Sequence, residues 1–192
     1  MYMNAYPLSV LLRHLLIFGL LSGLAGLGVA SGQTNVTAFS QTLAQASEKE
    51  GIRERISAII RETIKQGEGT VNGIKFYTRV PPSDDEVQEI KNYGDKAVPI
   101  LEEFLWAGDN RAGDLALRVL GLLGGSQMVE PLKRVVEKSD SPGRRELALR
   151  WLTQAPWDLA APVIRTAAET DADVRVRGVA QDLLVNYSPQ RQ

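Results

Sequence analysis

The chain has no cysteine and only one histidine, His14, among its 192 residues. The absence of cysteine excludes disulfides, thiolate metal sites and cysteine nucleophiles. His14 lies inside a predicted targeting segment, so the processed chain would contain neither residue type. It would lack the usual zinc ligands and the commonest general base. The sequence therefore predicts a protein that is not an enzyme, with no catalytic residues, no metal ligands and no cofactor.

The chain also has few aromatic residues (6%) and almost no net charge, with a formal value of −1. A weak net charge gives no general attraction for nucleic acid or for an anionic membrane surface. Its hydrophobic content of 44% is ordinary for a folded domain of this length. We therefore expect a folded domain whose partner is not nucleic acid.

The N-terminal segment has the features of a secretory signal. Arg13 precedes an uncharged, largely apolar stretch, Leu15–Ala30, which ends in the small residues Ala30-Ser31-Gly32. A charged start, a short apolar core and a small-residue exit predict cleavage. We expect residues 1–32 to be removed before Gln33, which would make the protein periplasmic or secreted. The alternative is an uncleaved anchor, and a membrane is a partner only in that case. Arg13 and the glycines of the stretch count against it.

The next segment is predicted to form a flexible lead followed by an N-terminal helical cap. Residues 33–47 are rich in Gln, Ser, Thr and Ala, which predicts an unpacked lead. Residues 48–93 form the predicted cap. Its first part has isoleucines at the three- and four-residue steps of an amphipathic helix, namely Ile52, Ile56, Ile59, Ile60 and Ile64.

A hairpin signal interrupts the cap. Asn72-Gly73 lies between β-favouring residues, and both turn positions of a tight hairpin require positive φ. The first arm is short, so a small β-ribbon and an ordered loop both remain open. Phe76 and Tyr77 on the second arm are candidate binding residues. Ser83 to Glu86 then resembles a capping box that starts a second helix.

Residues 94–188 repeat with a period of 32 residues. An apolar residue followed by alanine recurs as Leu115-Ala116, Leu147-Ala148 and Val179-Ala180, and a later leucine recurs as Leu120, Leu152 and Leu184. This period predicts three stacked helical hairpins, at 94–125, 126–156 and 157–188. The recurring alanines should lie where neighbouring helices approach closely, and Trp151 should pack between units.

The third unit resembles a HEAT-like repeat, especially the short bacterial form related to the phycobilin-lyase repeats. The resemblance is carried by Asp171, Asp173, Val176, Arg177, Ala180 and Leu184, and Tyr93 to Leu101 is similar to the start of a first helix. It covers about residues 83–187 and implies an all-α fold, a short right-handed α-solenoid with the ribbon inserted near its cap. The family's turn aspartate and arginine are both present only in the third unit, as Asp171 and Arg177. The first two units have Gly113 and Arg145 at the arginine position.

The resemblance implies a surface that binds protein or peptide. In HEAT-like proteins the second helix of each pair lines the inner face, and Arg118 and Arg150 share one column there. Arginines in this position are able to grip carboxylates or phosphates through two parallel hydrogen bonds. The alternative is that each arginine pairs along its own helix, with Asp114 or Glu146 four residues earlier.

The predicted function is therefore an exported, non-catalytic HEAT-like module that mediates protein or peptide binding. Arg118, Arg150, Phe76 and Tyr77 form its candidate binding surface. Two other functions remain open. One is a lyase-like repeat protein that handles a tetrapyrrole, against which the missing Cys and His and the export signal count. The other is a membrane-tethered structural component of an envelope complex.

Overall fold

The computed structural model describes the backbone of residues 32–187 and side chains from residue 38 onward. These residues form eight α-helices and one β-hairpin. The elements are α1 Gly32–Gln66, β1 Glu68–Val71, β2 Ile74–Tyr77, α2 Asp84–Asn92, α3 Ala97–Trp106, α4 Asn110–Leu123, α5 Val129–Lys138, α6 Pro142–Leu152, α7 Trp157–Thr170 and α8 Val174–Asn186. Within this part of the chain, no helix combines the length and the apolar character needed to cross a bilayer.

The chain divides into two compact units, residues 1–47 and 48–192. In the first unit the described backbone is helical, and the side chains of residues 38–47 are exposed. The predicted lead over 33–47 is therefore part of α1, which begins at Gly32 rather than at Glu48. This segment is rich in good helix formers such as Ala and Gln and has no internal Gly or Pro, so nothing stops the helix from starting early. Residues 1–31, where the signal peptide is predicted, lie outside the described residues.

The hairpin is a true two-stranded antiparallel sheet. Glu68 pairs with Tyr77, and the register continues to the pair Val71–Ile74. Asn72 and Gly73 have φ values of 51° and 77°, as a tight primed turn requires. The amide of Thr78 extends the ladder by donating to the Gly67 carbonyl at 2.8 Å. The Asn-Gly signal therefore identified the turn correctly, and the short first arm still pairs.

In the second unit, the repeat region folds into three helix pairs. These are α3 with α4, α5 with α6, and α7 with α8. Successive second helices also contact one another, since α4 lies against α6 and α6 against α8. Helix α2 contacts α4 in the same way, and its own N-terminus carries the predicted capping box between Ser83 and Glu86. One continuous apolar core joins α1 through α8.

Ion pairs connect α1 to the helices that follow the hairpin. Arg55 donates two hydrogen bonds of 2.7 Å to Glu89 on α2. Arg53 pairs with Glu103 on α3, with one hydrogen bond of 2.7 Å. The isoleucines of α1 lie in the core, with Ile56 and Ile59 fully buried. The second half of α1 is therefore joined to α2 and α3 by ion pairs and contributes its isoleucines to the shared core.

Small residues occupy buried positions on the second helices. The recurring alanines Ala116, Ala148 and Ala180 are all fully buried. A Cβ on Gly121 would lie 2.0 Å from the ring of Trp151, so the indole of α6 packs directly on the backbone of α4. Such contacts leave no room for a larger side chain. The packing role that the sequence predicts for Trp151 is confirmed.

The turn between α7 and α8 is fixed by an ion pair from the preceding pair of helices. Arg145 donates to both oxygens of Asp171 at 2.8 and 2.9 Å, and these side chains are only 12% and 6% exposed. Arg177 donates to the backbone carbonyl of Asp171 at 2.6 Å instead. Asp171 and Arg177, which the sequence places together in one unit, therefore form no ion pair with each other among the described residues. The Asp171 carboxylate binds Arg145 of the preceding helix pair, and Arg177 binds the Asp171 backbone carbonyl.

The first two pairs are linked by other arginines. Arg134 on α5 donates to Glu102 on α3 at 2.8 Å. Arg144 on α6 donates to Asp114 at 2.7 Å and to the carbonyl of Asn110 at 2.8 Å. A Cβ at Gly113 would lie 2.6 Å from the Arg144 guanidinium. The glycine at this repeat position thus leaves space for an arginine from the next pair.

Candidate functional site

A cleft of about 230 Å³ lies where the hairpin meets α4. One wall is the last turn of α1, another is the second strand and the residues after it, and the third is the first half of α4. We call it the hairpin cleft. Its lining residues are Thr63, Ile64, Tyr77, Thr78, Arg79, Val80, Asn110, Arg111, Asp114, Leu115 and Arg118.

Local structure at the start of α4 places the polar side chains of the cleft. The carboxylate of Asp109 caps the helix by accepting from the amides of Arg111 and Ala112, at 2.9 and 3.4 Å. Residues three and four apart then share a face of the helix. Arg111, Asp114 and Arg118 therefore all face the cleft.

Arg111 holds the hairpin against α4. Its guanidinium donates to Glu68 on β1 at 2.9 Å and lies 4.6 Å from the centre of the Tyr77 ring on β2. The hydrogen bond that Arg111 donates to Glu68 raises the pKa of Arg111 above its usual value. A cation over an aromatic face is attracted by the ring quadrupole. One side chain thus contacts both strands.

Asp114 is bound by arginines from two other elements. Besides its hydrogen bond from Arg144, it lies 3.7 Å from Arg79, which follows β2. It forms no ion pair with Arg118 among the described residues, and Glu146 forms none with Arg150. The alternative of ion pairs along one helix, Asp114 with Arg118 and Glu146 with Arg150, is therefore not found among the described residues. The Asp114 carboxylate instead contacts Arg79 and Arg144, which lie on other elements.

Arg118 is half-buried in the cleft and differs from the other arginines around it. Among the described residues, no carboxylate oxygen lies within 4.0 Å of its guanidinium. The charged residues that line the cleft are Arg79, Arg111, Arg118 and Asp114. Arg79 lies near Asp114, and Arg111 pairs with Glu68 and lies near Asp109, so among the described residues Arg118 is the lining arginine without a carboxylate partner.

The cleft also contains a buried hydroxyl without a partner. Thr63 is 2% exposed, and its Oγ1 has no hydrogen bond among the described residues. Ile64 and Leu115 supply apolar surface in the same cleft. Buried polar groups are nearly always paired, so an unpaired donor here marks a place where a further acceptor would be stabilised.

The structure brings together two of the four residues predicted from the sequence. Arg118 and Tyr77 both line the cleft. Phe76 does not, since its ring lies over Gly69, where a Cβ would be 2.1 Å away. Arg150 is exposed on α6, outside the cleft.

Sequence reasoning missed several residues of the cleft. Arg111 could have been predicted from the sequence, because it lies two helical turns before Arg118 on the same face of α4. Arg79 and Thr63 come from other elements, and only the docking of the hairpin brings them to α4. Helical periodicity does not predict the contact between the hairpin and α4.

A larger groove of about 1180 Å³ runs between the first helices α5 and α7. Its surface mixes apolar groups such as Val136 and Pro162 with charged residues of both signs. Lys133, for example, lies 4.0 Å from both Glu130 and Glu137. The ion pair between Arg145 and Asp171 closes one end. Most of the charged residues that line the groove have an ion-pair partner of opposite sign, Lys138 and Asp140 being the exceptions among the described residues.

Among the described residues, the pKa values that deviate from their usual range belong to groups in ion pairs and to Tyr93, whose pKa is raised chiefly by burial. Burial would raise the pKa of Asp171, but hydrogen bonds from Arg145 and from the amide of Asp173 outweigh it, so the pKa is lowered. Hydrogen bonds from the side chain and amide of Arg175 lower the pKa of Asp173 to about 2. Within residues 32–187, no cluster of three or more potential metal-ligating side chains occurs. No protein-family model, curated protein or solved structure matches this chain.

Proposed function

We propose that this chain is an exported helical-repeat module that binds a protein or peptide without catalysing a reaction. In this proposal the helices of residues 48–187 form a short right-handed α-solenoid of HEAT-like pairs. The second helices line its inner face. The observation that carries the proposal is the half-buried Arg118 on that face, which lies in a cleft and has no acidic partner among the described residues.

Three features support the HEAT-like assignment. The helices are paired, the pairs contact one another in chain order, and the sequence repeats every 32 residues. In addition, the turn aspartate Asp171 is bound by Arg145 from the preceding pair. A ladder of this kind ties neighbouring units of a linear array, in which each unit contacts only its neighbours.

Binding suits this surface better than catalysis. Repeat arrays offer extended faces to partners, and arginine is enriched among the residues that dominate binding energy. Catalytic sites need titratable groups whose pKa is tuned to the reaction. Every described group with a shifted pKa other than Tyr93 is engaged in an ion pair, and the pKa of Tyr93 is raised chiefly by burial.

The binding proposal is tested by capture from the native cells with a tagged full-length chain, followed by mass spectrometry. The double variant Arg118→Gln/Arg150→Gln should lose the captured partner while its melting temperature changes little. Arg165→Gln, exposed on the first helix α7, is the matched control and should retain the partner. Equal capture by wild type and double variant would contradict binding through this face.

Export is tested separately by sequencing the N-terminus of the native protein. The proposal expects a chain that begins at Gln33. A mature protein that still begins at Met1 or Met3 would contradict it.

A further inference from the structure

We propose that the hairpin cleft binds the C-terminal carboxylate of a peptide whose last side chain is apolar. This inference rests on the proposed binding function and names the chemical group that the cleft recognises. Arg118 is the main cationic contact, and the hydroxyl of Thr63 is a second donor.

The size of the cleft limits what it is able to hold. Its volume of about 230 Å³ is below the roughly 300–1,000 Å³ of pockets that take drug-sized ligands. The cleft therefore has room for the end of a chain and one side chain, and not for a larger cofactor.

The charges at the cleft favour a carboxylate. Arg79, Arg111 and Arg144 each lie within 4.0 Å of a carboxylate, and Arg118 does not. A single negative charge would therefore balance Arg118, the lining arginine without a carboxylate partner. A phosphate group carries about 1.5 to 2 negative charges at neutral pH and would exceed the charge of this one arginine. The planar guanidinium fork also matches the two oxygens of a carboxylate.

The remaining walls suit the rest of a peptide end. The amides of Arg111 and Ala112 at the start of α4 are occupied by Asp109, whereas the Arg118 guanidinium has no carboxylate partner and Thr63 Oγ1 has no hydrogen bond among the described residues. Thr63 Oγ1 is buried without a partner and would gain one when a carboxylate oxygen enters. Ile64 and Leu115 provide apolar surface for the last side chain.

The first test is a titration of the ¹⁵N-labelled full chain, followed by NMR, with N-acetyl-leucine. Saturable shifts are expected at the amides of Thr63, Thr78 and Asn110. N-acetyl-leucinamide has the same side chain without the carboxylate and should produce none. N-acetyl-glycine should bind more weakly, and inorganic phosphate more weakly than N-acetyl-leucine. Equal binding of acid and amide, or tighter binding of phosphate, would overturn the proposal.

The second test uses matched variants. Arg118→Gln should weaken N-acetyl-leucine binding by about tenfold or more, because it removes a charged two-point contact. Arg165→Gln removes an exposed arginine on α7 outside the cleft and should leave the binding of N-acetyl-leucine unchanged. Thr63→Val should weaken binding without lowering the melting temperature, since it removes a buried hydroxyl that has no partner in the free protein. A purely structural Thr63 would instead lose stability.

These results separate the two proposals. If N-acetyl-leucine does not bind while partner capture still depends on the second-helix face, the cleft inference is wrong and the binding module stands. If Arg118→Gln binds N-acetyl-leucine as well as wild type, Arg118 is not the cationic contact and the inference is also overturned.

Discussion

At the scale of single residues, the packing between helix pairs depends on a few positions without side chains. Gly121 is one of them, because the indole of Trp151 occupies the space where a Cβ would be. The neighbouring helix therefore reaches the backbone of α4 itself. A glycine in a helix interior weakens that helix, and here the close approach explains its presence.

Gly121→Ala should destabilise the protein by roughly 1–3 kcal/mol, as expected for overpacking a filled interface. Gly178→Ala on α8 is the control, and it should change the stability in the opposite direction. Nothing lies within 4 Å of a Cβ at that position, so the gain in helix propensity should stabilise by about 0.5–1 kcal/mol. Denaturant unfolding of both variants checks the pair, and a stabilised Gly121→Ala would refute the packing described here.

Asp171 should make the turn before α8 sensitive to acid. Its pKa is lowered in the folded protein from an ordinary 3.8. Its contribution to stability is therefore complete above about pH 5 and is lost as the pH falls through the lowered value. At pH 7, Asp171→Asn should cost about 1.5–3 kcal/mol, the range for hydrogen bonds to charged groups.

The same variant reveals the pH dependence. The stability gap between wild type and Asp171→Asn should narrow below pH 3.8 by at most about 1.4 kcal/mol per pH unit. The measurement is the unfolding free energy of both proteins at pH 7, 4 and 3, and the difference between them is compared across the three pH values. A gap that stays constant, or widens in acid, would show that the carboxylate of Asp171 is not held ionised by its partners.

At the scale of secondary-structure elements, the hairpin depends on α4 for its position. Four residues per strand form too small a sheet to be stable alone. The contacts of Arg111 with Glu68 and Tyr77 supply the docking. Removing them should leave the hairpin free to open locally while the helix pairs stay folded.

Arg111→Gln should therefore accelerate hydrogen exchange at the Thr78 amide several-fold. Exchange at the core amides of α8 should not change, because that helix lies at the far end of the array of pairs. Arg175→Gln, which removes an exposed arginine from the start of α8, is a control that should leave Thr78 unaffected. Unchanged exchange at Thr78 in Arg111→Gln would mean that other contacts hold the hairpin.

The sequence predicted the elements better than the site. Helical periodicity and the 32-residue register located the helix pairs, since each pair has one apolar face set by spacing alone. The Asn72-Gly73 turn was recognisable because few dipeptides tolerate its backbone angles. The cleft was not recognisable, because it joins α1, the hairpin and α4 through charged contacts that have no period. Arg118 and Tyr77 were found as separate candidates, and only the fold shows that they are neighbours.

At the scale of the whole molecule, the core extends in chain order from one helix pair to the next. A chain built this way loses stability in steps when an end is removed. A variant ending at Gln154, which lacks α7 and α8, should keep the helical content of its remaining pairs and melt at a lower temperature. Circular dichroism checks both quantities, and a fully unfolded truncated chain would show that the pairs depend on one indivisible core.

The link between Glu102 and Arg134 bears on how such a chain is able to grow. The two residues are 32 apart, so they occupy the same position in adjacent units. If the unit at 126–156 were duplicated in tandem, the Arg134 of the first copy would still face Glu102, but the Arg134 of the second copy would face the arginine of the first. The next natural unit has the neutral Thr166 at this position. The charge at this repeat position thus differs from unit to unit. Lengthening the protein by gene duplication would require one of the two arginines at the new junction to be replaced by an acidic residue.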